Sequence, residues 1–108
     1  MDVPGRLGAL AEPNRFRIVE LLRAGPRSVG GIVTALGIGQ PQVSRHLRIL
    51  GEAGLVEVHK QAQQRIYRLR PQPFQELDAW IATFTRTWED RMDQLDDLLR
   101  EPQDGGPR

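Results

Sequence analysis

No cysteine occurs in the 108 residues, so disulfides, thiolate metal sites and cysteine nucleophiles are excluded at once. Histidine is scarce, with only His46 and His59. Zinc wants three or four ligands gathered in one place, and two histidines without cysteine do not supply them. No catalytic constellation is visible. Ser44 and His46 lie two apart in a helical stretch and so do not face each other. There is no glycine-rich phosphate cradle and no dinucleotide-binding fingerprint. No cofactor, no metal and no enzymatic activity are therefore expected. No apolar run approaches the length of a membrane span, which predicts a soluble chain without a membrane partner. The opening Met-Asp-Val-Pro-Gly has neither a basic start nor an apolar stretch. No secretory leader is expected, and the cytoplasm is the expected compartment.

The formal net charge of +1 conceals an asymmetry. Residues 1–73 hold eleven Lys/Arg against five Asp/Glu, whereas residues 74–108 hold four against nine. A basic body followed by an acidic end points to a polyanion partner for the first part and a different role for the second. The length suits one domain with a modest core.

The most informative stretch is residues 39–54. Val43, Leu47 and Leu50 recur at i, i+4 and i+7, one apolar stripe of a helix. The other side carries Gln40, Gln42, Ser44, Arg45 and Arg48, with no acid until Glu52. Amide forks read adenine edges, and guanidinium groups read guanine or phosphate, so this is the inventory of a helix that enters the DNA major groove. Pro41 suits the first helical turn and Gly54 the left-handed position past the end.

The rest of the chain supports that stretch. Residues 1–5 are expected to be loose, followed by short helices over Arg6–Ala11 and Asn14–Ala24. Gly25-Pro26 stops the second of these. Ser28 can cap a third helix with Val29, Ile32, Val33 and Leu36 inward, and Gly37 ends it. Two short helices joined by a Gly-containing turn, the second basic outward, make a helix-turn-helix. After Gly54 the period changes to 2: Val56 and Val58 alternate with Glu57 and His59, and Tyr67 and Leu69 with Arg68 and Arg70. The polar link Gln61-Ala62-Gln63-Gln64, flanked by Lys60 and Arg65, would be the tip of a wing touching phosphate or minor groove. Arg27 is a further candidate for phosphate contact. A long helix is expected over 74–100, with Phe74, Leu77, Ile81, Phe84, Trp88, Met92, Leu95 and Leu99 at steps of 3 or 4. That seam is close to a heptad, and left bare it would aggregate or pair. We read it as a two-fold dimer interface. Residues 102–108 read as a disordered tail. The fold class is thus mainly α with a small β-hairpin: a winged helix-turn-helix over 6–101 with a C-terminal dimerisation helix.

Three stretches resemble the ArsR/SmtB family of bacterial winged-helix repressors: residues 10–22, Gln40 to Leu50, and Ala53-Gly-Leu-Val56. The resemblance implies a homodimer on a pseudo-palindromic, double-stranded DNA operator. It matches the family's recognition positions to Gln40, Gln42, Ser44, Arg45, His46 and Arg48, and its wing to Lys60 to Arg65, Gln63 included. The glycine often found at the wing tip is missing. Family members that sense metal through Cys-Val-Cys in the third helix have Ser28, Val29 and Gly30 here. A second family metal site uses Asp and His on the last helix, which here lacks His. The chain is more similar to the metal-free branch, and its effector is open. Two other readings stay open at this point. One is a winged-helix module that binds a protein. The other is a metal-responsive regulator using Glu89, Asp93 and Asp97, which fall at i, i+4 and i+8.

Overall fold

The computed structural model describes residues 2–105, with side-chain surroundings through Arg100. Along the chain these residues form α1 (Val3–Ala11), α2 (Pro13–Arg23), β1 (Arg27–Ser28), α3 (Val29–Leu36) and α4 (Gln40–Glu52). The hairpin β2 (Val56–Gln61) and β3 (Gln64–Leu69) follows, then α5 (Pro71–Gly105). Two units result, divided between Gln75 and Glu76.

In the first unit the helix ends are set by local chemistry. The Asp2 carboxylate accepts a hydrogen bond from the Gly5 amide at 3.0 Å. Pro4 fits the first turn, where its missing N–H costs nothing. The expected loose segment 1–5 is therefore corrected from Val3 onward, where α1 already starts, while residue 1 lies outside the described residues. Ser28 Oγ accepts from the Gly31 amide at 3.1 Å and caps α3, and Gly37 ends α3 in the left-handed region at φ 73°. The end of α4 is a Schellman turn. The Leu55 amide donates to Leu50 O and the Gly54 amide to Gly51 O, each at 3.0 Å. Gly54 supplies the φ of 77° that this turn needs.

The core gathers apolar side chains from α2, α3, α4 and the turn after α4. Ile18, Ile32, Val43, Leu47, Leu50 and Leu55 are fully buried. The hairpin expected from the alternation is present and gains a third strand, giving the antiparallel order β1-β3-β2. Its register pairs Val58 with Tyr67, Lys60 with Arg65 and Gln61 with Gln64. Strand β1 is two residues long, pairing Arg27 with Tyr67 and Ser28 with Ile66.

The second unit is the continuation of α5. The helix begins at Pro71, not Phe74, and runs past Arg100 to Gly105, which corrects the expected tail at 102–105. The last part of that expected tail, 106–108, lies outside the described residues. Ile81, Phe84, Trp88, Met92, Leu95 and Leu99 are 40–64% exposed. Trp80 and Phe84 meet edge to face with centroids 4.9 Å apart. Two residues leave the expected seam. Phe74 packs against the core of the first unit, and Leu77 is buried. No helix among the described residues is long and apolar enough to cross a membrane.

Candidate nucleic-acid interface

Helix α4 has two chemically distinct sides. Val43, His46, Leu47 and Leu50 are buried. Gln40, Gln42, Ser44, Arg45 and Arg48 are exposed on the other side. The N-cap, Gly39, has no side chain to cap the helix, and the first turn holds no acid. The positive end of the helix dipole thus meets no acid in its own first turn.

A groove of about 920 Å³ separates α4 from the hairpin. Val29, Leu47, Val56, Val58 and Tyr67 form its apolar lining, and Gln40, Ser44, Arg45, Arg48 and Arg65 its polar one. Arg65 on β3 thereby faces the same space as the α4 arginines. Among the described residues, Glu57 is the one acid lining this groove. Arg68 reaches its carboxylate with Nε and Nη2, each at 3.5 Å, and His59 Nε2 lies 3.1 Å away. Burial alone would raise the Glu57 carboxyl. The hydrogen bonds from Arg68 and His59 outweigh it and hold the group below its ordinary 4.5. Its negative charge is answered within the hairpin. His59 therefore sits on the strand surface, as its alternation predicts.

At the far end of the hairpin, Gln61 pairs with Gln64, leaving Ala62 and Gln63 as a two-residue turn. Ala62 takes φ 57°, the conformation that a glycine would occupy without strain. Lys60 and Arg65 are exposed and stand directly opposite each other. Like charges so paired repel unless an anion lies between or beside them. Gln63 is exposed at the tip, and Arg27 is exposed on β1 at the opposite side of β3.

One expected contact is corrected. His46 is only 5% exposed and cannot join the outward row of α4. Its position follows from spacing: it lies three residues after Val43 and four before Leu50, which is the inner stripe. Three residues at the helix corner stand outside the sequence reading. Glu12 caps α2 by accepting from the Arg15 amide at 2.8 Å. That bond outweighs some desolvation and, with the charge of Arg15, keeps the Glu12 carboxyl below 4.5. Arg15 Nε donates to Ala9 O at 2.7 Å, and Arg17 Nη2 donates to Leu36 O, the last residue of α3, at 3.1 Å. The cap at Glu12 has a local signal, because an acceptor before Pro13 marks a helix start. The two arginine tethers are tertiary and carry no local pattern.

Residues 12–58 match the family profile described as "Bacterial regulatory protein, arsR family". The transcriptional repressor SdpR of Bacillus subtilis is 32% identical over 76 residues, which cover 70% of this chain and 84% of SdpR. The chain belongs to the arsR family. Within that family, the transcriptional repressor SmtB of Mycobacterium tuberculosis is 44% identical over 70 residues. That match takes in 64% of this chain and about half of SmtB, 52%. A solution structure from Mycobacterium bovis, the homodimeric winged helix-turn-helix DNA-binding domain of Mb0332, superposes with a TM-score of 0.64 at 31% identity, covering 78% of each chain. This arsR-family chain has Ser28 at the start of α3, where it caps the helix. Among its described residues, no group of three or more His, Asp or Glu side chains is gathered to hold a metal.

Proposed function

We propose that the chain is a cytoplasmic, homodimeric transcriptional repressor that binds a pseudo-palindromic DNA operator. One observation carries this reading: an exposed face of α4 with no acid before Glu52, and Arg65 beside the hairpin tip, border one groove. Family membership and the repressors among its relatives support the regulatory role. The homodimeric Mb0332 domain and the bare stripe of α5 support pairing of two copies.

In this reading α4 enters the major groove. Gln40, Gln42, Ser44, Arg45 and Arg48 meet base edges and flanking phosphates. Lys60, Gln63 and Arg65 meet the backbone beside it, and a phosphate there relieves the Lys60–Arg65 repulsion. Two copies would pair through Ile81, Phe84, Trp88, Met92, Leu95 and Leu99, and two-fold half-sites demand recognition helices about 34 Å apart, one turn of the duplex.

Gel shifts on a duplex selected from a randomised pool, and on a scrambled duplex, test the assignment at several salt concentrations. Arg45→Ala should cost about 1–3 kcal/mol on the selected duplex and relax base preference. Lys60→Ala should weaken both duplexes alike and reduce the salt slope by about one. Equal losses of Arg45→Ala on both duplexes would remove Arg45 from base reading.

A further inference from the structure

We infer that His46 is a positioning residue of the DNA-reading helix, held by Arg15 so that α4 keeps one orientation against the α1–α2 corner. The inference rests on the proposed DNA binding. Among the described residues, His46 is the one buried side chain that is polar. Its Nδ1 lies 3.5 Å from Arg15 Nη1 and 3.9 Å from Glu12 Oε1. Arginine has donors only, so in the tautomer that leaves Nδ1 unprotonated this nitrogen accepts from Arg15, the nearer of its two neighbours. The same guanidinium donates through Nε to Ala9 O in the last turn of α1. Glu12, at the junction of α1 and α2, binds the Arg15 amide and closes the cluster. One arginine thus bridges the end of α1 and the middle of α4.

This contact does something that the apolar packing of α4 does not. Val43, Leu47 and Leu50 hold the helix by burial, which has no direction and tolerates small rotations or slides between ridges. A buried polar contact has direction, and leaving it unmade is costly. It favours one rotation of α4 over its near neighbours. Arg45 is the adjacent residue, so any rotation that moves His46 swings Arg45 and Gln42 relative to the duplex. His46 therefore acts on base reading without touching DNA.

The test compares His46→Leu, His46→Asn, Arg15→Met and the double variant His46→Leu/Arg15→Met. Affinities are measured for the selected duplex and for the scrambled one, alongside circular dichroism and the thermal midpoint. Leucine fills the site but lacks the acceptor, whereas asparagine keeps an acceptor near the place of Nδ1. His46→Leu should stay folded, bind the scrambled duplex as the native chain does, and lose about tenfold on the selected duplex. His46→Asn should recover most of that loss. Arg15→Met should lose a similar amount, and the double variant no more than either single one. Full discrimination by His46→Leu, or losses that multiply in the double variant, would overturn the inference. If His46→Leu does not fold, Arg15→Met decides, and native discrimination by it overturns the inference. If the native chain itself does not prefer the selected duplex, DNA reading falls and this inference falls with it. Native preference with unaltered variants removes only the inference.

Discussion

The two units treat apolar side chains in opposite ways. Up to Gln75, Ile18, Ile32, Val43, Leu47, Leu50 and Leu55 are all removed from water. From Glu76 onward, Trp88 is 64% exposed and five more large apolar side chains line up with it on the same helix. The first unit closes a core within one chain, although Leu7, Phe16 and Val58 remain exposed. The apolar surface of the second is unfinished, and a soluble protein seldom leaves so much of it bare without a partner. Charge divides the same way, with the basic excess before residue 74 and the acidic excess after it. An acidic helix repels DNA, so the acidic excess suits the pairing role proposed for α5 and not a nucleic-acid contact.

This contrast can be broken on either side. Leu47→Ala should cost about 2–5 kcal/mol in urea unfolding, because a fully buried leucine leaves a cavity in the first unit. That loss should be the same at every protein concentration. Trp88→Ala should weaken self-association by about 2–4 kcal/mol, as loss of an aromatic anchor at a dimer interface does. Its effect should show as a concentration-dependent thermal midpoint, with the first unit still folded. The smallest change lies at the wing tip. Ala62→Gly should raise stability by up to about 1 kcal/mol, because φ 57° strains alanine and not glycine. Denaturant midpoints read this directly, again without concentration dependence.

Much of the fold and of the candidate site is legible in the residues alone. The stripe of Val43, Leu47 and Leu50 places Gln40, Gln42, Ser44, Arg45 and Arg48 outward, and all five are exposed. Alternation through Val56, Val58, Tyr67 and Leu69 locates the hairpin, because a period of 2 has few rival explanations. The features that escape such reading have physical causes. Strand β1 is two residues long and owes its existence to pairing with β3, so it leaves no period to read. The start of α1 is hidden because Val3-Pro4-Gly5 reads as a loop, although Asp2 supplies the cap that makes it a helix. Family position puts His46 outward, while its spacing from Val43 and Leu50 points inward. The spacing is the better guide. Phe16, one of the apolar residues of α2, is 53% exposed, since Ile18, Val19 and Leu22 form the buried side of that helix.

The central claim is that two copies, joined along the bare stripe of α5, present two α4 faces to one duplex. Sedimentation velocity of the native chain, titrated into a labelled duplex selected from a randomised pool, tests it most directly. The account predicts a dimer in free solution and a complex holding two chains per duplex, both lost together in Trp88→Ala. A native chain that stays monomeric and binds the duplex one to one, with Trp88→Ala unchanged, would contradict it.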